Sequence, residues 1–334
     1  MIIVLGSNED PHVENVVSVM RSNFNTVIKV LDCLKPSNFS IRYLKNGGSE
    51  IVIDGDVIDE PFLVWSRMKL VPGTPFYLKG NEAFTGFAAN EWRALCRIIA
   101  QSAPLGCYNP IQSHAFYYKP LQQQVAIRVG LKVPETLLTN HRHDAISFLE
   151  RLPQAIMKSI SEAKVRTRGD GEEIPFNIMT MKVDVEDLKL ASDEELAFCP
   201  HFFQEEIEKA YELRIVYVDG AIYSFKINSQ DYKTTQTDWR KGLWALKYEL
   251  QETPPTIHEK ITQFMRESNL HFGSLDFIVD RSGQFWFLEC NQDGAWEWLN
   301  EANDNMIAQA YAEALIKLEA KALKTFNQER LLRA

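Results

Sequence analysis

The stretch Ser274-Leu275-Asp276-Phe277-Ile278-Val279-Asp280-Arg281-Ser282-Gly283-Gln284-Phe285-Trp286-Phe287-Leu288-Glu289-Cys290-Asn291 decides how the chain is to be read. Two runs of branched and aromatic residues, 274–279 and 284–289, flank the turn cluster Asp280-Arg281-Ser282-Gly283, the pattern of a β-hairpin. Side chains alternate across a strand, so Glu289 and Asn291 share a face and Cys290 points the other way. Two registers are open: a loop over 281–284 pairs Asp276 with Glu289, and a tighter turn on 281 and 282 puts Asp276 opposite Phe287. In the first, Asp276, Glu289 and Asn291 aim oxygens at one point. Carboxylate and amide oxygens suit a hard divalent cation such as magnesium, whose remaining positions substrate phosphates fill. A solvated sheet face also carries acidic residues, so other features have to decide.

With 334 residues the chain has room for two or three domains and a sizeable core. The net charge of -9 argues against nucleic-acid binding, which needs clustered excess Lys and Arg. A phosphate site in so acidic a chain has to concentrate positive charge locally. The start, Met1-Ile2-Ile3-Val4-Leu5-Gly6-Ser7, lacks a basic segment and turns polar early, which reads as a first strand and not a signal peptide. No apolar run approaches a membrane span. The five cysteines form no Cys-x-x-Cys pair, the usage of a reducing cytoplasm, which is the expected location. His141 and His143 lack partners spaced to complete a metal shell and read as a surface turn.

Along the chain, Val13, Val16, Val17 and Met20 make a helical stripe between the opening strand and a second strand at 26–31. Strands are expected at 39–43, 51–53 and 61–65, and a helix near 90–100. Helix is expected over 116–129, and a strand after the Gly130 to Pro134 turn. Residues 159–176 have few apolar positions and read as a mobile loop. Strands follow from His201 to Phe225, and Ile257, Ile261, Phe264 and Met265 mark a helix ahead of the hairpin. A closing helix carries Ile307, Tyr311, Leu315 and Leu318 on the face that packs on the sheet. The fold class is α/β (α+β), in three parts: a small N-terminal α/β domain over 1–115, a central part over 116–200 and a C-terminal part over 201–334.

Four stretches, in order along the chain, resemble the ATP-grasp superfamily and within it the graspetide synthetases, the microviridin-type ligases that crosslink ribosomally made peptides. They are Val64-Trp65-Ser66-Arg67; Lys119-Pro120-Leu121-Gln122 with the segment 130–140; Phe203 to Arg214; and Leu288-Glu289-Cys290-Asn291 with Gly294, Trp296 and Trp298. The resemblance implies an ATP-grasp fold behind a pre-grasp domain, with ATP and Mg2+ as cofactors, two ions being expected. It gives Lys119, Lys158 and the weaker candidate Lys182 to the phosphates. Gln204, Glu205, Glu206 and Ile207 become the hinge that reads adenine, and 159–176 the phosphate-covering lid. Asp276, Glu289 and Asn291 become the metal ligands and Arg240 the arginine that faces the acyl phosphate; Arg214, alternating with apolar neighbours on a strand beside the hairpin, is the second candidate clamp, the alternative being that either arginine only neutralises Asp276 or Glu289. A guanidinium fork suits the clamping task better than an ammonium does.

The implied reaction activates Asp or Glu side chains of a precursor peptide as acyl phosphates, which Thr, Ser or Lys of the same peptide displace to close ester or amide rings. The implied partner is a peptide with a leader and such a core; no nucleic acid or membrane is expected, and a homodimer is left open. The chain departs from the group's Pro-x-Gly-Gln-Trp pattern after the ligand Asn, having Gln292-Asp293-Gly294-Ala295-Trp296. That departure bears on substrate more than on ATP use. Two other readings stay open, a ligase joining free amino acids or other small carboxylates to an amine, and a non-catalytic nucleotide-binding module.

Overall fold

The computed structural model describes residues 1–32, 38–45, 49–68, 82–113, 118–160, 164–169, 172–177, 180–242 and 245–333. Every residue of β1 (Ile2–Gly6) is buried, as in a strand covered on both faces. Asp10 caps α1 (Pro11–Asn23) by accepting from the His12 N–H at 2.9 Å. There follow β2 (Ile28–Asp32), β3 (Phe39–Tyr43), β4 (Ser49–Ile53), β5 (Asp56–Ile58), β6 (Leu63–Ser66), α2 (Glu82–Gln101) and β7 (Cys107–Tyr108). Strands β2-β1-β6-β7 form a parallel sheet, and β3-β4-β5 a separate antiparallel meander. Period-two alternation splits β1 between two cores. Ile2 and Val4 pack with the apolar stripe of α1, while Ile3 and Leu5 pack with Cys96, Ile99 and Ala100 of α2.

Next come α3 (Lys119–Arg128), β8 (Thr136–Thr139), α4 (Arg142–Glu150), β9 (Ala155–Lys158), β10 (Lys164–Gly169), β11 (Glu172–Asn177), β12 (Met181–Val183), α5 (Val185–Leu190), α6 (Asp193–Ala197) and β13 (His201–Glu205). The antiparallel sheet β12-β9-β13-β8 takes its third strand from beyond residue 200 and packs on α4, α5 and α6. Segment 159–176, expected as an irregular loop, is corrected where it is described. Strands β10 and β11 pair as an antiparallel hairpin, with Val165 opposite Phe176 and Thr167 opposite Ile174. Val165, Thr167 and Ile174, branched residues that favour extended backbone, fall within the paired stretches despite the polar composition. Residues 161–163, 170 and 171 lie outside the described residues, as do 116 and 117 of the helix expected from 116.

The remainder is β14 (Lys209–Val218), β15 (Ala221–Ile227), β16 (Tyr248–Gln251), α7 (Pro255–Glu267), β17 (Phe272–Asp280), β18 (Phe285–Asn291), α8 (Glu297–Glu301) and α9 (Met306–Arg333). The five strands form one antiparallel sheet in the order β16-β15-β14-β17-β18. One face is apolar throughout: Leu213, Ile215, Leu275, Phe277, Phe287 and Cys290 pack on Ile261, Phe264 and Met265 of α7. Burying each of those larger side chains contributes about 1.5–3 kcal/mol.

The other face changes character along its length. Val216, Val218 and Phe272 lie under Tyr311 and Leu315 of α9, whereas Glu212, Arg214 and Asp276 continue the same face beyond that helix's cover. Where α9 ends its cover, the polar site begins.

Candidate active site

The hairpin reaches its register by a route that neither sequence alternative contained. Asp280 N–H donates to the Gln284 carbonyl at 3.0 Å, and the pairs Val279–Phe285 and Phe277–Phe287 follow. A shift beside Asp276 then leaves Leu288 as an extra residue and sets Asp276 opposite Glu289. This β-bulge changes the parity of the strand. Phe287 and Cys290, three apart, both enter the apolar core, and Glu289 and Asn291 turn to the open face.

The carboxylates and the amide meet there. Asn291 Nδ2 lies 3.3 Å from Asp276 Oδ2 and 3.4 Å from Glu289 Oε1. Arg214, directly across from Asp276, donates from Nη1 to both of its oxygens at 2.9 and 2.8 Å, and from Nη2 to the Ala295 carbonyl at 3.1 Å. Gly294 is required where that guanidinium passes, since a Cβ there would come within 2.6 Å of Ser274 Cβ and 2.9 Å of Arg214 Nη2. Lys119 Nζ sits 3.2 Å from Glu289 Oε2. Arg240 grips Asp238 through Nε and Nη2, both at 2.8 Å, and sets Nη1 3.8 Å from Glu289 Oε1. A cavity of about 400 Å³ opens over these groups, walled by Trp239 and Trp298.

Burial dominates the electrostatics, and the two carboxylates divide. Burial pushes the Asp276 carboxyl up, with Arg214 opposing and Glu289 adding to the rise. Burial acts likewise on Glu289, but Lys119, Arg240 and Lys158 outweigh it and hold that carboxyl below its usual range. Burial pushes the Lys158 ammonium down to about 8, against the pull of Glu289.

The other expected residues fall on the central sheet. Lys158, at the end of β9, donates to Gln204 Oε1 at 2.8 Å, and Gln204 Nε2 donates to Thr136 Oγ1 at 3.2 Å. Lys182, opposite Ile156, lies 2.9 Å from Glu206 Oε2. Glu205 is turned away to the backbone N–H of Glu135, at 3.2 Å, and Ile207 is buried. Residues 206–208 connect the central sheet to the C-terminal one. Lys119, Lys158 and Arg240 thus all act electrostatically on Glu289, while Lys182 pairs with Glu206 at the connection between the sheets.

Two site-shaping amides had no signal as charged residues. Gln122 pairs with both backbone groups of Cys290: Nε2 donates to its carbonyl at 2.9 Å and Oε1 accepts its N–H at 2.8 Å. It acts as a side-chain rung on the edge strand, between Glu289 and Asn291. Asn109 accepts from the His271 and Phe272 N–H groups and donates to the Phe272 and Gln292 carbonyls, fixing both strand ends. Gln122 stood in the quoted Lys-Pro-Leu-Gln stretch, but its partner lies 168 residues away.

Solved structures similar to this chain share its architecture over 95% of its length. A RiPP-associated ATP-grasp ligase of Chryseobacterium gregarium, in complex with ADP and a leader and core peptide, superimposes with a TM-score of 0.80 at 24% identity, covering 95% of this chain and 96% of that one. The macrocyclase MdnC of Microcystis aeruginosa MRC, bound with precursor peptide MdnA, gives 0.78 at 26% identity over 95% and 99%. The chain has the ATP-grasp fold, and it is similar over 95% of its length to ligases that act on ribosomally made peptides. A further ATP-grasp ligase, PsnB, complexed with a phosphomimetic variant of minimal precursor, Mg and ADP, gives 0.70 at 21% identity over 95% and 98%. No protein-family model matches this ATP-grasp chain, and no curated protein does. Among the described residues, no three His, Cys, Asp or Glu side chains group as a metal site. No helix is long and apolar enough to cross a membrane among the described residues.

Proposed function

We propose that this ATP-grasp protein is an ATP-dependent, ADP-producing ligase that closes ester or amide rings within a ribosomally made precursor peptide. The observation that carries the reading is the half-face where Asp276, Asn291, Arg214 and Arg240 border one cavity, with Glu289 held beside them by Asn291, Lys119 and Arg240 and acted on by Lys158. Its likeness to peptide-bound ATP-grasp ligases over 95% of the chain supports the substrate class.

A side-chain carboxylate oxygen of the peptide attacks the γ-phosphorus of ATP, and the bond to ADP breaks. The resulting acyl phosphate is attacked by a Thr or Ser hydroxyl or a Lys amine, which loses its proton as inorganic phosphate departs. Positioning and electrostatics suffice for such a transfer, so no covalent nucleophile is needed. Lys158 and Lys119 offer compact charge to the phosphates, with Lys182 at the edge. Residues 204–207 are suited to hold adenine at the connection between sheets. Asp276, Glu289 and Asn291 are the oxygen donors that would hold magnesium, which when bound neutralises charge on the β- and γ-phosphates. The two carboxylates and the amide fit a hard cation as oxygen-bearing groups brought within 3.3 and 3.4 Å contacts of one another. Arg214 is orientated by Asp276 and Ala295, while half-exposed Arg240 is held by Asp238 with Nη1 turned toward the cavity. Arg240 is therefore the arginine best placed to clamp the acyl phosphate.

Incubation with ATP, Mg2+ and a precursor rich in Thr and Glu or Asp tests the reading by mass spectrometry, each ring removing about 18 Da as water with ADP formed in equal amount. ADP formation with single amino acids and no peptide would instead mark a small-carboxylate ligase.

A further inference from the structure

The Trp-x-Arg stretch has no part in the site described so far, yet its arginine is almost wholly buried, at 4% exposure. A buried guanidinium needs partners. Arg67 Nε donates to Asp10 Oδ2 at 3.0 Å, and Nη1 donates to the Asp293 carbonyl at 3.3 Å. The other Asp10 oxygen lies 2.7 Å from His12 Nδ1. His12 Nε2 in turn accepts the backbone N–H groups of Trp296 at 3.0 Å and Glu297 at 3.2 Å. Two donors facing Nε2 fix the tautomer, with the ring proton on Nδ1 and given to Asp10.

These bonds close a ring from Arg67 through Asp10 and His12 to one end of segment 293–297, and from its other end back to Arg67. The helix α1 adds a second hold one turn on, where Asn15 donates to Glu297 Oε1. The His12 ring also stands edge-on to Trp296, with centroids 4.8 Å apart. Inside the bracketed segment are Gly294, against which the Arg214 guanidinium passes, and Ala295, whose carbonyl it meets.

We propose that Asp10, His12 and Arg67 are positioning residues: a clamp from the N-terminal domain that sets the 293–297 turn and, through it, Arg214 over the phosphoryl-transfer site. The proposal rests on the ligase reading above. It assigns the Trp-x-Arg stretch a task in turnover and none in nucleotide binding, because Lys158, Lys182, Gln204 and Glu205 take the partners described above in the central sheet and its connection.

The test compares His12→Ala, His12→Gln and Arg67→Lys in the full chain, reading kcat, peptide KM, ADP affinity and hydrogen exchange at the Trp296 and Glu297 amides. His12→Ala should lower kcat about 100-fold, the scale of an ångström of misplacement. ADP affinity should stay within about twofold, and both amides should exchange faster. His12→Gln presents an oxygen to the same N–H groups and should recover most of the rate. Arg67→Lys, which lacks the fork to span Asp10 and Asp293, should repeat the alanine defect. Wild-type kcat in His12→Ala, unchanged amide exchange, or a loss of ADP affinity parallel to the loss of rate would overturn the clamp. If His12→Ala fails to fold, Arg67→Lys decides: slow turnover with ADP affinity kept supports the proposal, and a wild-type rate overturns it. Should the wild type turn over no peptide, the ligase reading fails by itself, and the exchange measurement still decides whether His12 holds the turn.

Discussion

Arg214 and Arg240 carry the same charge, but their removal has different consequences. Arg240→Lys should lower kcat about 100-fold, because an ammonium cannot both grip the buried Asp238 and present a donor to the cavity. Asp276→Asn should abolish turnover and also cost about 3 kcal/mol of stability in denaturant unfolding, since it strands the buried Arg214 guanidinium. Turnover retained in the first variant, or full stability in the second, would contradict these roles. Lys158 gives a pH prediction. Its folded-state value, near 8, lies below the unfolded one, so its contribution to stability is present above the unfolded value and lost as pH falls through about 8. Phosphate binding favours the ammonium, so ADP affinity should weaken as pH rises above about 8, and Lys158→Met should flatten that dependence in calorimetric titrations. At this scale the charged residues were legible because Arg214, Asp276 and Glu289 interrupt apolar strands. Gln122, Asn109 and His12 were not, because their partners are backbone groups more than 100 residues away.

Among the elements, β18 shows what alternation alone cannot supply. The pairing of Asp276 with Glu289 was legible as one of two registers, but the extra residue at Leu288 that lets Phe287 and Cys290 share the core is a tertiary choice. The rung from Gln122 secures that strand beyond the bulge. Gln122→Leu would leave both backbone groups of Cys290 without these bonds, so it should destabilise the protein by about 1–3 kcal/mol. It should also raise the Mg2+ concentration needed for half-maximal turnover, as Glu289 and Asn291 flank Cys290. A magnesium titration matching wild type would show that the rung is dispensable to the site. The β10–β11 hairpin was hidden by its polar composition. Its branched residues alternate over too short a span to outweigh the surrounding charge and glycine in a composition-based reading.

For the whole molecule, the α/β start, the run of strands after His201, the closing hairpin and the final helix were legible from period-two and helical patterning, while the sheets those strands join were not. What patterning does not reveal is that α9 covers half of one sheet face and leaves the rest to the polar site. That partial cover depends on where a helix ends in space. It is also the feature that turns a sheet into a cleft for phosphoryl transfer, the claim on which the functional account depends. The direct test is to feed the enzyme ATP, Mg2+ and a precursor whose side-chain carboxylates carry isotopically heavy oxygen, and to follow the label. An acyl phosphate route transfers a labelled oxygen to the inorganic phosphate released with each ring closed. Rings formed with unlabelled phosphate, or ADP released while the peptide stays unmodified, would contradict it.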